Sequence, residues 1–259
     1  MTLPYFLRKD GSSGPLAFAH RGFSLDGLEN SMAAFRAAVG LGTVHLETDV
    51  HTTADGVLVV FHDESLDRVT DAAGRIAELT GDEVARARIG GREPVPTFDE
   101  LASAFPDAKL NLDVKDWNSV APLAEAIERQ GIHQRVLVTS FSDRRRKAVL
   151  RRLSKKTASS AGSTLTALFV FLGPVLPAPV ARKLLADVDV FQVPARYGRF
   201  PVVTKGFVRR AHKAGRYVHV WTINEPGEME RLLDLGVDGI VSDRLDLLKA
   251  VLLKRQQWV

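Results

Sequence analysis

Short apolar runs rich in β-branched and aromatic residues alternate along the chain with stretches in which apolar residues return every three or four positions. The first pattern predicts strands buried on both faces, and the second predicts helices that cover them. The predicted strands span residues 16–20, 44–50, 109–114, 136–140, 157–161, 189–194, 217–223 and 239–242. The predicted helices span residues 31–41, 98–105, 120–130, 143–153, 180–186, 205–214 and 225–235.

Eight strands that alternate with helices are typical of a parallel α/β fold closed as a (β/α)₈ TIM barrel. The main alternative, an open doubly wound sheet, usually has a glycine-rich G-x-G-x-x-G loop after its first strand. Here the first predicted strand runs directly into His20-Arg21-Gly22, which favours the barrel. A chain of 259 residues matches one such barrel, so we expect a single domain over residues 1–259.

A β-hairpin is predicted after the second barrel strand, because Asp55-Gly56 is a strong two-residue turn signal. A turn centred there pairs positions whose numbers sum to 111, so that Asp49 faces His62. Partners in such a pair project to the same face about 5 Å apart. A bulge or a three-residue loop would shift this register. The longer connection over residues 63–96 predicts a short excursion from the barrel.

Polar residues share one face of two predicted strands. Glu47 and Asp49 lie two positions apart, and so do Asp113 and Lys115, so each pair projects to one side of its strand. The opposite sides are largely apolar. In a barrel the apolar faces pack on the helices, and functional residues gather at the carboxyl ends of the strands. We therefore expect these side chains to meet at the mouth of the barrel.

The composition and the amino terminus narrow the class of protein. The absence of cysteine excludes disulfides, thiolate zinc sites and a cysteine nucleophile. Residues 4–7 run into Arg8-Lys9-Asp10 without the apolar core of a signal peptide. We therefore expect a cytoplasmic protein, either free or peripheral to the inner face of the membrane. We expect no nucleic-acid partner, and the oligomeric state stays open.

Charge is distributed unevenly. The formal net charge is +4, yet residues 144–186 contain ten Lys and Arg and no Asp or Glu. The same stretch holds the longest apolar run, 165–181, which is too short and too interrupted by Gly and Pro to span a membrane. A basic segment beside an apolar run predicts peripheral contact with an anionic membrane or ligand. A solvated outer helix and a buried core helix are the alternatives.

Four polar pieces supply a coherent chemistry if the fold gathers them. Three carboxylates, from Glu47, Asp49 and Asp113, form an oxygen-rich set suited to one divalent cation, Mg²⁺ or Ca²⁺. His20 and His62 can divide the work of acid and base near neutral pH. Arginine and lysine, here Arg21 and Lys115, bind phosphate oxygens. Each residue alone could instead be an ordinary ion-pair partner, but together they indicate phosphoryl transfer or phosphodiester hydrolysis.

The same residues carry a resemblance to the glycerophosphodiester phosphodiesterases, over residues 17–248. The matching segments occur in the expected order and, as a set, are highly specific. They are Ala19-His20-Arg21-Gly22, Glu29-Asn30-Ser31, Glu47-Thr48-Asp49-Val50, Asp55-Gly56, Val59-Val60-Phe61-His62-Asp63, Leu66-Asp67-Arg68, Pro96-Thr97-Phe98-Asp99-Glu100, Asn111-Leu112-Asp113-Val114-Lys115, Val220-Trp221-Thr222-Ile223-Asn224 and Gly236-Val237-Asp238-Gly239-Ile240.

The resemblance implies a metal-dependent enzyme that hydrolyses glycerophosphodiesters to an alcohol and sn-glycerol 3-phosphate. It implies that His20 and His62 are the catalytic acid/base pair. The residues it implies as metal ligands are Glu47, Asp49 and Asp113, and those it implies at the phosphate and glycerol are Arg21, Lys115 and Trp221. A lysophospholipase D-like activity on membrane lipids and a low-turnover phosphate-binding barrel stay as alternatives.

One departure from the family pattern bears on the metal. The family usually has Glu where this chain has Asp113. One methylene fewer draws the carboxylate back by roughly the 1.5 Å of one C–C bond. This shortening could leave room for a water or favour a different cation.

Overall fold

The computed structural model describes residues 3–8 and 10–258, and within them eight parallel strands form a barrel. The predicted (β/α)₈ fold is confirmed. The barrel strands are Leu16–His20, His45–Thr52, Lys109–Val114, Val136–Thr139, Ala158–Ser159, Val190–Pro194, Tyr217–Trp221 and Gly239–Ser242.

The barrel closes at two seams. The first strand pairs in parallel with both the second and the eighth, so the two ends of the sequence meet in the sheet. The fifth and sixth strands are joined by a single bridge between Ser160 and Val190. Backbone hydrogen bonds from Asp189 N to Ser159 O (2.8 Å) and from Ala161 N to Val190 O (2.9 Å) complete that seam.

Helices surround the barrel in the predicted order, with small differences at their ends. The α-helices are Met32–Leu41, Gly81–Arg86, Phe98–Ala104, Val120–Gln130, Asp143–Leu150, Ser163–Leu172, Ala178–Leu184, Lys205–Lys213, Pro226–Asp234 and Leu245–Lys254. Three of these were not predicted: Gly81–Arg86, Ser163–Leu172 and Leu245–Lys254. The last two are apolar over most of their length, so no polar face marks a helical period.

The amino end of the barrel is closed by packed rings. The 3₁₀ helix Pro4–Phe6 places Tyr5 and Phe6 against the rings of His45 and Tyr217, at 5.7 and 4.4 Å between centroids. Phe18 fills the barrel axis between His45 and His219. Both histidines are buried, and burial lowers the pKa of each to about 3, so both are neutral at physiological pH.

The hairpin after the second strand exists, but the predicted register is wrong by one residue. The strand Leu58–Val60 pairs with the second barrel strand so that position numbers sum to 110, as in Val50 opposite Val60. The loop has three residues, 54–56, closed by hydrogen bonds from Gly56 N to Thr53 O (3.1 Å) and from Thr53 N to Val57 O (3.0 Å). Gly56 takes the left-handed φ of 89° that such a bulged loop requires.

The excursion over residues 63–96 is a small packed unit. It contains the 3₁₀ helix Ile76–Glu78, the helix Gly81–Arg86 and an antiparallel pair formed by Arg88–Ile89 and Glu93–Pro94. Its buried apolar residues form a cluster with Val59 of the hairpin strand and with Phe61, which directly precedes His62. This packing gives the loop that carries His62 a rigid support.

The basic segment 144–186 is divided between the two ends of the barrel. Residues 151–156 precede the fifth strand and therefore lie at the amino end, whereas helix Ser163–Leu172 follows that strand at the mouth. These two parts of the segment thus lie at opposite ends of the barrel, while Arg182 and Lys183 follow the apolar run in helix Ala178–Leu184.

Two of the ten basic residues serve the barrel itself. Arg146 is fully buried and donates to Ser159 Oγ (2.6 Å) and Asp187 O (2.8 Å). Arg145 donates to Val114 O (2.9 Å) at the end of the third strand. These two side chains are therefore not available to an external anion.

Candidate active site

The predicted site residues come together at the carboxyl ends of the strands. Parallel pairing sets His20 beside Glu47 and Asp49 beside Asp113. A cavity of about 790 Å³ opens at this end of the barrel. It is lined by all eight residues that the sequence singles out, namely His20, Arg21, Glu47, Asp49, His62, Asp113, Lys115 and Trp221.

Each candidate histidine is held by an aspartate through Nδ1. His20 Nδ1 lies 2.6 Å from Asp243 Oδ1, and His62 Nδ1 lies 2.5 Å from Asp63 Oδ1. An aspartate on Nδ1 fixes the orientation of the ring and leaves Nε2 for another group. His20 Nε2 is 3.9 Å from Glu47 Oε2. The arrangement is suited to two separate proton transfers in one cavity.

The two histidines differ in electrostatic environment. Burial lowers the pKa of His20, but the carboxylates of Glu47 and Asp243 outweigh it and raise the pKa above its usual value. Burial is the larger effect at His62 and lowers its pKa, although Asp49 and Asp63 oppose it. Opposite shifts are typical of groups that exchange protons in different directions.

The lysine of the site lies between two carboxylates. Lys115 Nζ is 2.8 Å from Asp49 Oδ1 and 2.7 Å from Asp113 Oδ2. Despite burial, these two partners raise the pKa of Lys115, so it stays an ammonium. Burial would raise the pKa of Asp49, but Lys115 and Arg21 outweigh it and lower the pKa.

Two carboxyl groups of the site carry raised pKa values. Burial and the charge of Asp49 raise the pKa of Glu47 to about 7. Burial also raises the pKa of Asp113, against the opposing charge of Lys115. Burial is the larger cause at both carboxyl groups, and the charge of Asp49 adds to it.

Arg21 is fixed by a backbone conformation and by acidic partners. It has a left-handed φ of 53°, and Arg21 Nη1 donates to Glu29 Oε1 at 2.9 Å. Arg68 donates from Nη2 to Glu29 Oε1 at 2.6 Å and from Nε to Asp63 Oδ2 at 2.5 Å. A chain of ion pairs therefore connects Arg21 to the aspartate that holds His62. The guanidinium is thereby positioned before any substrate arrives.

Several of these supporting residues were missed by sequence reasoning. Asn30 precedes the first helix and matches the residue types that cap helices, but it bonds Asp49 Oδ2 (3.3 Å) and Thr48 Oγ1 (2.6 Å), and Ser31 is the cap. His51 had no expected partner, yet it contacts Asp116 Oδ2 (2.8 Å) and the carbonyl of His62 (3.1 Å). Asp243 had no motif of its own, although it follows the eighth strand directly.

The donor set fits a hard divalent cation in type. The oxygens of Glu47, Asp49 and Asp113 are supplemented by Asn111 Oδ1, which is buried in the same cavity without a hydrogen-bond partner. As arranged, no group of three or more His, Asp or Glu within residues 3–8 and 10–258 converges on a metal position. A bound cation would have to share Asp49 and Asp113 with Lys115.

The opposite wall of the cavity is apolar. Helix Ser163–Leu172 lies along it and contributes Ala167, Val170 and Phe171. Phe141 meets Trp221 edge to face with ring centroids 5.9 Å apart. The cavity thus joins a charged wall to a hydrophobic one, the combination expected for an amphiphilic ligand.

Comparison with known proteins identifies the family of this chain. The model of the glycerophosphoryl diester phosphodiesterase family matches residues 20–247. A protein of Mycobacterium tuberculosis, a probable glycerophosphodiester phosphodiesterase 2, is 42% identical, with 98% of this chain and 95% of that protein covered. A lysophospholipase D of Rattus norvegicus is 28% identical, with 90% of this chain and 85% of that protein covered.

A solved structure shares the fold. It is a phosphodiesterase of Oleispira antarctica in complex with the product sn-glycerol 3-phosphate, and it superposes with a TM-score of 0.74. The two sequences are 22% identical over 92% of this chain and 97% of that one. With the family match over most of its length, this chain is an enzyme of the glycerophosphoryl diester phosphodiesterase family.

Proposed function

We propose that the protein hydrolyses glycerophosphodiesters to an alcohol and sn-glycerol 3-phosphate. The observation that carries the proposal is the pair of aspartate-held histidines facing Arg21 and Lys115 in one cavity. The named activity of the Mycobacterium relative and the product bound in the Oleispira structure support the substrate class.

In the proposed reaction an oxygen nucleophile attacks phosphorus and the bond from phosphorus to the alcohol oxygen breaks. One of His20 and His62 removes the proton from the nucleophile, and the other donates a proton to the departing alkoxide. With water as the nucleophile, one water is consumed for each alcohol and phosphomonoester formed. Arg21 and Lys115 stabilise the charge that builds on the phosphoryl oxygens.

We also propose that the enzyme uses one divalent cation, Mg²⁺ or Ca²⁺, held by Glu47, Asp49 and Asp113. A cation there would supply Lewis-acid stabilisation of the phosphoryl group. The raised pKa of Glu47, caused by burial and by Asp49, supports the need for added positive charge. The short side chain of Asp113 leaves the choice between the two ions to experiment.

The direct test is a rate assay with glycerophosphocholine, followed by ³¹P NMR as the diester signal becomes a monoester signal. We expect release of glycerol 3-phosphate that EDTA abolishes and Mg²⁺ or Ca²⁺ restores. Release that EDTA leaves unchanged would refute the metal, and binding of glycerol 3-phosphate without turnover would favour the phosphate-binding alternative.

Replacing His62 by Ala should slow the reaction at least 10²-fold. His212→Ala, in an ion pair with Asp238 on a different segment, is the control.

A second candidate, lysophospholipase D activity, is favoured by the apolar wall of the cavity. Each methylene moved from water to such a wall contributes about 0.8 kcal/mol. We expect Phe171→Ser to raise KM for lysophosphatidylcholine roughly tenfold, the equivalent of about 1.4 kcal/mol. The same change should leave KM for glycerophosphocholine, which has no acyl chain, nearly unaltered. Equal effects on both substrates would remove this candidate.

Membrane contact through residues 144–186 and a cytoplasmic location remain predictions. None of the helices formed by the described residues combines the length and hydropathy needed to traverse a bilayer. The division of the basic segment between the two barrel ends directs attention to a different surface, at the mouth.

A further inference from the structure

Exposed aromatic side chains are concentrated around the mouth of the cavity. Phe141, Phe171, Tyr197 and Phe200 all line the cavity, yet they are 61%, 78%, 79% and 77% exposed. They come from the three separate segments that follow the fourth, fifth and sixth strands, and Phe171 lies in helix Ser163–Leu172. Several exposed aromatic side chains around one opening, rimmed by polar residues, indicate an interaction surface.

The loop after the sixth strand pairs these aromatics with cations. Arg196–Tyr197 and Phe200–Pro201 form a two-stranded antiparallel hairpin, and all of residues 196–201 are exposed. The sequence Arg-Tyr-Gly-Arg-Phe-Pro places a basic residue beside each aromatic one. We call residues 196–201 the rim hairpin.

The two arginines of the rim hairpin are free to meet an anion. Among the described parts of the chain, neither Arg196 nor Arg199 forms an ion pair or a side-chain hydrogen bond. Glu228 is close enough for Arg196 to lower its pKa. That carboxylate is already held by Arg231, at 2.6 and 2.7 Å.

The stretch that contributes Phe171 to the mouth carries no charged residue. Residues 157–181, which include helix Ser163–Leu172, contain no Lys, Arg, Asp or Glu. Placing this surface in an apolar environment therefore desolvates no ionised side chain of that stretch, whereas burying even one unpaired charge would be strongly unfavourable. An apolar surface edged by two unpaired arginines is complementary to anionic headgroups above acyl chains.

We propose that the mouth docks on the surface of an anionic phospholipid bilayer through the rim hairpin and Phe171. Tyr197, Phe200 and Phe171 enter the interface, and Arg196 and Arg199 contact lipid phosphates. The basic residues 151–156 lie at the opposite end of the barrel and point away from the bilayer. This docking is a binding event and does not rest on turnover.

The test is co-sedimentation of the full chain with vesicles of phosphatidylcholine, alone or with part of it replaced by phosphatidylglycerol. We expect binding to the anionic vesicles at low salt and little to the neutral ones. Each basic residue at an anionic surface contributes about a fivefold factor, so Arg196→Ala with Arg199→Ala should weaken binding on the order of 25-fold. Tyr197→Ser with Phe200→Ser should weaken it at every salt concentration.

Matched variants at the other end of the barrel complete the design. Arg151→Ala with Arg152→Ala removes two exposed charges, and Leu253→Ser removes an exposed apolar side chain on the last helix. Both should bind anionic vesicles like the unaltered protein, and thermal melts should confirm that every variant is folded. The arginine pair of the rim hairpin does not line the cavity, so its removal should leave hydrolysis of soluble glycerophosphocholine unchanged.

Three outcomes would overturn the proposal. One is the absence of binding to anionic vesicles at low salt. Another is binding that both rim-hairpin variants leave intact. The third is binding that is lost in the Arg151 and Arg152 variant, which would place the membrane-facing surface at the amino end. A protein that hydrolyses glycerophosphocholine but does not bind vesicles would contradict only the docking proposal. A protein that binds vesicles but does not hydrolyse glycerophosphocholine would contradict only the proposed function.

Discussion

Replacing Lys115 by Met tests the charge balance of the site without relying on turnover. The change keeps most of the apolar stem but removes the ammonium that joins Asp49 and Asp113 at 2.8 and 2.7 Å. Removing one partner of a buried ion pair typically costs about 3–5 kcal/mol. For a chain of this size, about 1 kcal/mol shifts the melting temperature by roughly 2 °C. We therefore expect a loss of about 6–10 °C in EDTA.

The expected rescue is the informative part of this experiment. If a divalent cation binds the three carboxylates, it no longer competes with an ammonium in the variant. Added Mg²⁺ or Ca²⁺ should then raise the melting temperature of Lys115→Met more than that of the unaltered protein. Lys109→Met is the matched control, because this lysine lies on the same strand but donates to Leu7 O at the amino end.

Calorimetry or dye-based melting with and without cation measures both effects. The reasoning fails if Lys115→Met has the same melting temperature in EDTA as the unaltered protein. The metal assignment fails if cations stabilise the variant no more than they stabilise Lys109→Met.

Two further predictions follow from the aspartate behind His20 and from the closed amino end. Asp243→Asn should slow hydrolysis at least tenfold and move the pH–rate limb of His20 to lower pH, because the variant lacks a carboxylate that raises the pKa of His20. Asp246→Asn is the control. A limb at the same pH in Asp243→Asn would contradict the role of Asp243 behind His20. The free energy of unfolding should fall as the pH drops from about 6.5 toward 3. In this range His45 and His219 bind a proton in the unfolded chain but stay neutral when buried in the folded protein. The loss should reach on the order of 2 to 3 kcal/mol for each histidine by about pH 4.5, measured by urea unfolding. His219→Gln should reduce this slope, and an unchanged slope would exclude the assignment.

The barrel was predictable because its pattern is local and repeated. Most strands are apolar runs, and most helices show a period that a single sequence reveals. Glu47, Asp49, Asp113 and Lys115 could be placed at one site because side chains alternate along a strand and parallel strands end at the same edge. These inferences required no knowledge of loops.

The errors arose where conformation depends on contacts distant in sequence. The hairpin register depends on the backbone of Asp55, because a two-residue type I′ turn needs a positive φ at both Asp55 and Gly56. In the structure Gly56 has a positive φ and Asp55 does not, although the pair Asp-Gly is compatible with both loop lengths. Asn30 follows the pattern of a cap, but its bond to Asp49 exists only after the second strand is in place. Arg146 lies in a basic run, and its buried partners come from segments 13 and 41 residues away.

The ring-packed amino end closes the barrel below the candidate active site, so the cavity opens only at the mouth. Phe18, His45 and His219 close the axis, so nothing can leave beneath the carboxylates. Substrate, water and both products of the proposed reaction must use the same opening. Substrate entry and product release through that opening are then kinetic steps separate from the chemistry. A molecule or surface bound at the rim therefore affects the rate of product release.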